Sequence, residues 1–219
     1  MNQTNTKLLA DILRNIANTP HIRPSEVPDI DLYMDQVTTF MDEHLSSTRR
    51  SQDDKILTKT MINNYTKKKL LPHPTKKKYS KEHLLLLIFI YYLKDFLPLT
   101  DIRAILTPIT ERFFETDDSI SIENIYAEAY DLSKEWVNNI CRDITESWHT
   151  ASNSFEDCPA KDRETLQIFS FICMLSFDIY LKKQVIEQMI DGLGTGEPTG
   201  SEESAESDKS DSAESTPYS

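Results

Sequence analysis

The residues whose types and spacing suggest chemistry lie between Lys55 and Lys81. This stretch of 27 residues contains nine lysines and no acidic residue, whereas the whole chain of 219 residues has a formal net charge of −12. The stretch therefore carries +9 and the remainder of the chain carries −21. Because lysine ammonium groups are compact charges that bind phosphate well, we expect this lysine segment (residues 55–81) to contact an anionic partner.

The first half of the lysine segment predicts a helix over residues 58–70. Thr58 is a good N-cap, because its hydroxyl can accept a hydrogen bond from a backbone N–H of the first turn, and Pro72 prevents the helix from continuing. At 100° per residue, one face of this helix is apolar and the opposite face is polar. The apolar face holds Met61, Ile62 and Tyr65, and the polar face holds Thr60, Asn63, Asn64 and Lys67.

The polar face carries groups that can read DNA bases. An asparagine amide can bond to N6 and N7 of adenine, and a lysine can reach O6 and N7 of guanine. A short helix of this kind suits the major groove. We therefore predict base contacts from Thr60, Asn63, Asn64 and Lys67, and phosphate contacts from Lys59 and Lys68 at the flanks.

The second half of the lysine segment, residues 72–79, predicts a short β-like wing. It begins at Pro72, contains Pro74 and ends directly before the helix cap Ser80. Lys76, Lys77, Lys78 and Tyr79 would contact the sugar–phosphate backbone, which adds affinity but no choice of sequence. The alternative is that the lysines only keep the surface soluble. The absence of any balancing acid across 27 residues favours contact with an anion.

The elements that must position these residues predict an all-α protein. Residues 1–191 contain no glycine, which disfavours hairpins and phosphate-cradling loops. Ser80 is expected to cap a helix that is apolar on all sides and therefore buried, and Thr100 is expected to cap a short helix over Asp101–Leu106. The other predicted helices cover Lys7–Ala17, Asp31–Leu45, an apolar stripe from Ile122 to Trp148, and about Asp162–Ile190.

Catalytic and metal-binding motifs are absent from the sequence. It has no glycine-rich loop, nucleophile elbow or metalloprotease motif, so we expect neither an enzyme nor a cofactor. Cys141, His149 and Cys158 could in principle form a thiolate–imidazole metal site. Their spacing matches no established ligand pattern, and we predict no metal.

The cysteines and apolar runs predict a cytoplasmic, nucleoid-associated protein with no membrane contact. Three dispersed cysteines without a CxxC pair indicate a reducing compartment. No signal peptide is visible at the N-terminus, and the most apolar run, His83–Leu93, is about half as long as a membrane span.

The C-terminal segment Gly194–Ser219 predicts a disordered acidic tail. It holds seven acids and one lysine and has almost nothing apolar to bury. Such a tail either competes with phosphates for the lysine segment or only aids solubility.

Thr58–Leu106 resembles the winged helix-turn-helix of MerR-type transcription regulators. An uncharacterised Gram-positive family, domain of unknown function 1836, is similar over about Val27–Leu106. Asn63 stands where the regulators commonly have arginine and Lys69 where they have glycine, and residues 46–55 lengthen the connection before the recognition helix. The matching positions are Ile62, Tyr65, Leu70, Leu71, Pro72, Tyr79, Ser80, Leu99, Ile102 and Leu106.

With this resemblance, the chain divides into four expected regions. They are an N-terminal helix and linker (1–26), a winged helix-turn-helix DNA-binding domain (27–110), a helical dimerisation or effector region (111–193) and the acidic tail (194–219). The resemblance implies a transcriptional regulator that binds double-stranded DNA as a homodimer and responds to an unknown effector. The alternative is a non-catalytic module on the same winged-helix fold that binds RNA or a protein.

Overall fold

The computed structural model describes residues 3–17, 21–51 and 53–194. The described chain is mostly helical, which confirms the all-α prediction at the level of composition. It also contains one small two-stranded sheet. The helices are α1 (Gln3–Ala17), α2 (Met34–Leu45), α3 (Lys59–Lys67), α4 (Lys81–Leu93), α5 (Leu99–Phe113), α6 (Ile122–Ser152) and α7 (Ala160–Gly194), the strands are β1 (Leu32–Tyr33) and β2 (Lys78–Tyr79), and short 3₁₀ turns lie at Pro24–Glu26 and Ser46–Thr48.

The small sheet joins the start of α2 to the end of the lysine segment. β1 and β2 pair antiparallel, with Leu32 opposite Tyr79 and Tyr33 opposite Lys78. The predicted helix over Asp31–Leu45 is therefore wrong in its first turn, because residues 32 and 33 are extended. Tyr33 is the N-cap residue of α2, and its backbone N–H donates to the Gln36 side chain at 2.9 Å.

α4 is the centre of the main core, as its all-round apolar sequence predicts. Its start at the cap residue Ser80 is confirmed, and the five residues 84–88 are completely buried. Side chains from α2, α3, α5 and α6 belong to the same core. A helix buried on every side must be enclosed by several others, so the surrounding helices are held by contact with α4.

α5 is longer than expected and has a different cap. The helix starts at Leu99 with Pro98 as its N-cap residue, and the backbone N–H groups of Asp101 and Ile102 donate to the Pro98 carbonyl. The predicted cap at Thr100 and the end at Leu106 are therefore wrong. α5 continues through Pro108 because Ile109 and Phe113 pack against the main core. The expected region boundary at residue 110 falls inside this helix.

α6 and α7 form a long helical hairpin with a second, smaller core. Leu9 of α1, Trp148, Ala151 and Phe171 are its buried members, and the Trp148 and Phe171 rings meet edge to face at 5.0 Å between centroids. The turn of the hairpin is held by Gln167, whose amide donates to the backbone carbonyls of Ser152, the last residue of α6, and Ser154 in the α6–α7 connection. Both long helices that the sequence predicts are confirmed.

α7 exposes an unusual amount of apolar surface. Ten of its large apolar side chains are exposed, among them Phe169, Phe177 and Tyr180. By length and composition, Ala160–Leu193 could cross a membrane, with a mean hydropathy of 1.3 over 18 residues, of which 11% are buried. From the sequence, only the apolar run His83–Leu93 was considered as a possible membrane span. The predicted acidic tail lies outside the described residues, apart from Gly194.

Candidate functional site

The helix at the heart of the lysine segment has the two faces that the sequence predicts. The Thr58 hydroxyl accepts a hydrogen bond from the Met61 backbone N–H at 3.1 Å, which confirms the N-cap of α3. Ile62 and Tyr65 are buried in the main core, and Met61 packs against it. Because these contacts fix the inner face, the opposite face is left to solvent. Lys59, Thr60, Asn63 and Lys67 are exposed there, and Asn64 is half-buried.

The C-terminal end of α3 is a Schellman motif built on Lys69. The Leu70 N–H donates to the Tyr65 carbonyl at 2.9 Å and the Lys69 N–H donates to the Thr66 carbonyl at 3.1 Å. This closure requires a left-handed residue after the helix, usually glycine. Lys69 takes that position with φ 57°. Glycine would take this backbone conformation without strain, and this chain places an exposed lysine there instead.

Residues 72–79, the basic loop, turn back on themselves through two strained lysines. The Lys78 N–H donates to the Thr75 carbonyl at 2.9 Å, closing a four-residue turn. Both central residues have positive φ, 51° at Lys76 and 65° at Lys77. Positive φ at both positions is the pattern of a type I′ turn, which strongly favours Asn-Gly. Both side chains are exposed, so two charges are presented at the tip of the loop.

The base of the basic loop is anchored in the protein. Tyr79 is 3% exposed and its ring meets His83 of α4 edge to face at 5.5 Å. The ring of Tyr79 is thus enclosed by the core, and the sugar–phosphate contact expected of it stays a prediction. Lys78 is half-buried, with its ammonium 5.4 Å from the centroid of the Tyr33 ring. α2 packs against both α3 and β2 and so joins the helix to the loop.

Most of the lysine charges have no internal counterion. Lys59 pairs with Asp35, and Lys81 pairs with Glu123 at 2.6 Å. Within the described part of the chain, the other seven lysines of the segment form no ion pair with a carboxylate. These are Lys55, Lys67, Lys68, Lys69, Lys76, Lys77 and Lys78.

His73 and Arg103 extend the basic surface, and the sequence did not predict either as a site residue. A cavity of about 460 Å³ beside the end of α3 is lined by Lys69, His73 and Arg103 together with Glu111 of α5. Arg103 is exposed and lies 34 positions beyond Lys69 in the chain. No local pattern links such residues, because α5 reaches this place only through packing against the core. The excess of basic over acidic residues in the lining would suit an anionic group such as a phosphate.

The cysteine and histidine residues considered for a metal do not converge. Cys141 and Cys158 are half-buried free thiols and Cys173 is exposed. Among residues 3–17, 21–51 and 53–194, no group of three or more His, Cys, Asp or Glu side chains is placed to hold a metal ion.

Comparison with protein families gives one match, to a family described as a domain of unknown function (DUF1836), over residues 22–129. Residues 22–129 are therefore similar to this family. The matched region contains β1, β2, α2 to α5 and the first turns of α6, and therefore the whole lysine segment. It extends beyond the similarity seen from sequence motifs, which ended at Leu106. No curated protein and no solved structure matches the chain.

Proposed function

We propose that the protein is a DNA-binding transcriptional regulator in which α3 reads base edges and the basic loop contacts phosphates. The observation that carries the proposal is a set of seven lysines that have no carboxylate partner among the described residues, around an exposed face of amide and hydroxyl groups. In a chain with net charge −12, counterions for these lysines are abundant elsewhere. An external polyanion with bases to read satisfies both the charge and the amides.

The strained loop tip supports this proposal. Left-handed backbone costs an ordinary residue roughly 1–2 kcal/mol, and it is borne at both Lys76 and Lys77. Residues in unfavourable backbone regions cluster at functional sites. Two lysines at a turn that favours Asn-Gly make sense if their charges are needed at that point in space.

In finer detail, we propose a winged helix-turn-helix of the MerR type over residues 27–110. α2 and α3 would be the helix pair, and β2 with the basic loop would be the wing. The connection between α2 and α3 spans residues 46–58 and contains a 3₁₀ turn, so it is longer than a tight turn. Asn63, which is exposed, is better placed for a base than the half-buried Asn64.

We further propose that the protein acts as a homodimer through α7. A single unit reads few base pairs, and two-fold symmetry doubles the contact. Phe169, Phe177 and Tyr180 are 62%, 62% and 54% exposed, which at about 200 Å² for each aromatic side chain leaves roughly 350 Å² open. Seven more large apolar side chains of α7 are exposed. Together they approach the roughly 800 Å² per partner of a stable interface.

The charges on α7 also favour a second copy as its partner. Asp178 pairs with Lys182 at 2.6 Å and Lys183 with Glu187 at 3.4 Å within the same helix. The exposed apolar stretch is therefore close to neutral, so two copies can meet there without the repulsion expected between chains of net charge −12. In this proposal the protein is non-catalytic, needs no cofactor and works in the cytoplasm on the nucleoid.

The decisive experiment selects duplexes from random DNA with the purified full chain and then measures two variants on the enriched site. Asn63→Ala should cost about 1–3 kcal/mol on that site and relax one base position. Lys77→Ala should weaken all sequences alike and reduce the slope of log affinity against log salt by about one. Lys161→Ala, an exposed lysine outside the segment, is the matched control and should change neither quantity.

Two results would contradict the proposal. If no sequence is enriched and both variants bind as the unchanged protein does, the lysine segment is not a DNA site. If single-stranded RNA competes better than any duplex, the segment belongs to an RNA-interaction module on the same fold.

A further inference from the structure

A second cavity lies between α4 and α6. It has a volume of about 230 Å³ and is formed by residues of these two helices together with His21. Five of the seven residues that line it are aromatic or imidazole side chains. These five are His21, Phe89, Tyr92, Tyr126 and Tyr130.

The rings stand at different angles around the cavity. His21 is stacked with Tyr92 at 6.0 Å between centroids and an interplanar angle of 25°, and it meets Tyr130 at 76°. Phe89 meets Tyr126 at 65° and 5.2 Å. Walls inclined in this way offer both faces and edges of aromatic rings to a guest. A cation is attracted to ring faces because their electron density gives them a negative potential.

The hydroxyl groups of the cavity differ in their hydrogen bonding. Tyr126 donates to the Ile22 carbonyl at 2.7 Å and so is satisfied within the protein. The Tyr92 hydroxyl is buried and has no hydrogen-bond partner among the described residues. Buried polar groups are nearly always paired. Since the Tyr92 hydroxyl is closed off from solvent, the Tyr92 ring is the part of this residue that lines the cavity.

The charges around the cavity select the class of ligand. None of the described lining residues is Lys, Arg, Asp or Glu, so neither an anion nor a metal ion finds its usual ligands there. Burial raises the pKa of the Tyr126 phenol, so this wall residue is neutral. The faces of the surrounding rings carry a negative potential, which favours a cation over a neutral guest of the same shape.

We propose that this cavity binds a small organic cation of the quaternary-ammonium class, held by the aromatic walls of α4 and α6. This site is separate from the lysine segment and does not depend on whether the protein binds DNA. The position of the cavity nevertheless connects it with the basic loop. α4 begins directly after β2, and α6 is joined to the first turn of α4 by the Lys81–Glu123 ion pair, so a guest between α4 and α6 contacts the helix that follows the basic loop and a helix paired with its first residue.

The test is isothermal titration of the full chain without DNA. The probes are choline, tetramethylammonium and 3,3-dimethylbutan-1-ol, which has the shape of choline but no charge. Both cations should bind, and the neutral analogue should bind several-fold more weakly. Tyr130→Leu should weaken both cations about two- to five-fold, as expected for loss of one ring face, and Tyr130→Phe should retain their affinity.

Two further variants separate the contributions. Tyr92→Phe keeps the ring that stacks with His21 and removes only the buried hydroxyl, so both cations should retain their affinity. Phe96→Leu removes an exposed ring of the α4–α5 connection and should leave both affinities unchanged. Equal binding of the neutral analogue, no binding of either cation, or equal weakening by Tyr130→Phe and Tyr130→Leu would overturn the proposal.

Discussion

Lys69 occupies a backbone position at which glycine is the natural choice. Its φ of 57° is in the left-handed region, where a Cβ atom costs roughly 1–2 kcal/mol. Glycine would remove that cost. It would also give the unfolded chain more conformational freedom, which lowers stability by about 0.4–1 kcal/mol. We predict that Lys69→Gly raises the free energy of unfolding by about 0.5–1 kcal/mol, measured by urea denaturation.

The matched control for this change is Lys67→Gly at the last helical residue of α3. Helical geometry gives glycine no advantage there, so this variant should lose up to about 1 kcal/mol. Equal destabilisation by both changes would show that the end of α3 does not store the inferred strain.

His83 should make the stability of the protein depend on pH. It is buried against Tyr79 and Phe114, and its Nδ1 accepts the Ser80 backbone N–H at 3.1 Å. Burial lowers the pKa of this imidazole, and the carboxylates of Glu115 and Asp31 oppose the shift only in part. The unfolded chain therefore takes up the proton first as pH falls, and stability is lost from about pH 6.5 downward.

The corresponding prediction compares the protein with His83→Gln. Glutamine at the third helical position preserves a hydrogen-bond acceptor for the cap but does not titrate. Below about pH 6.5 the unchanged protein should lose up to about 1.4 kcal/mol per pH unit relative to the variant, until the folded-state pKa is passed. Urea denaturation between pH 7.5 and 5 measures this difference, and parallel curves would refute the assignment.

At the scale of elements, we expect the two lysines at the turn of the basic loop to lower the stability of the protein and to strengthen its binding to DNA. Lys76→Asn with Lys77→Gly installs the residue pair that a type I′ turn favours. We predict a gain of about 1 kcal/mol in the free energy of unfolding, because two strained backbone positions are relieved. The same double variant should bind random duplex DNA more weakly, with the salt slope reduced by about two.

The control keeps both charges at the loop tip. Lys76→Arg with Lys77→Arg should leave the salt slope and the stability close to their original values, since arginine has the same charge and the same backbone preference. If the Asn-Gly variant gains stability while its affinity for DNA stays the same, the lysines are surface residues without a binding role.

At the scale of the whole molecule, α7 decides the state of association. We predict that light scattering at micromolar concentration gives twice the 25.3 kDa mass of one chain. Phe177→Lys should shift the mass toward the monomer, because it places a charge in the apolar face of α7. Ile30→Lys changes a residue of similar exposure outside α7 and should leave the mass unchanged.

Light scattering combined with flotation on lipid vesicles distinguishes a bilayer from a second copy of the chain as the partner of α7. A monomer that floats with lipid vesicles would assign the apolar face of α7 to a bilayer, which its length and mean hydropathy permit. A monomer that stays in solution would leave that face without the partner proposed here. Only a dimer that does not bind to vesicles agrees with the proposed interface.

The amino-acid sequence by itself determined the features that depend on neighbours in the chain. The cap at Thr58, the two faces of α3, the buried α4 and the two long helices follow from periodicity, capping and charge, which act within one or two turns. The similarity of residues 22–129 to the DUF1836 family is likewise a property of the sequence. These features were predicted in type and approximately in extent.

Only the tertiary structure decided what distant residues do together. Pairing of Leu32 with Tyr79 turns a predicted helical turn into a strand and buries a tyrosine expected at the surface. Arg103 joins the basic surface, and residues from three separate segments enclose the aromatic cavity. Local propensity contains no information on such contacts, because they depend on how the helices pack around α4, and packing outweighs propensities of a few tenths of a kcal/mol per residue.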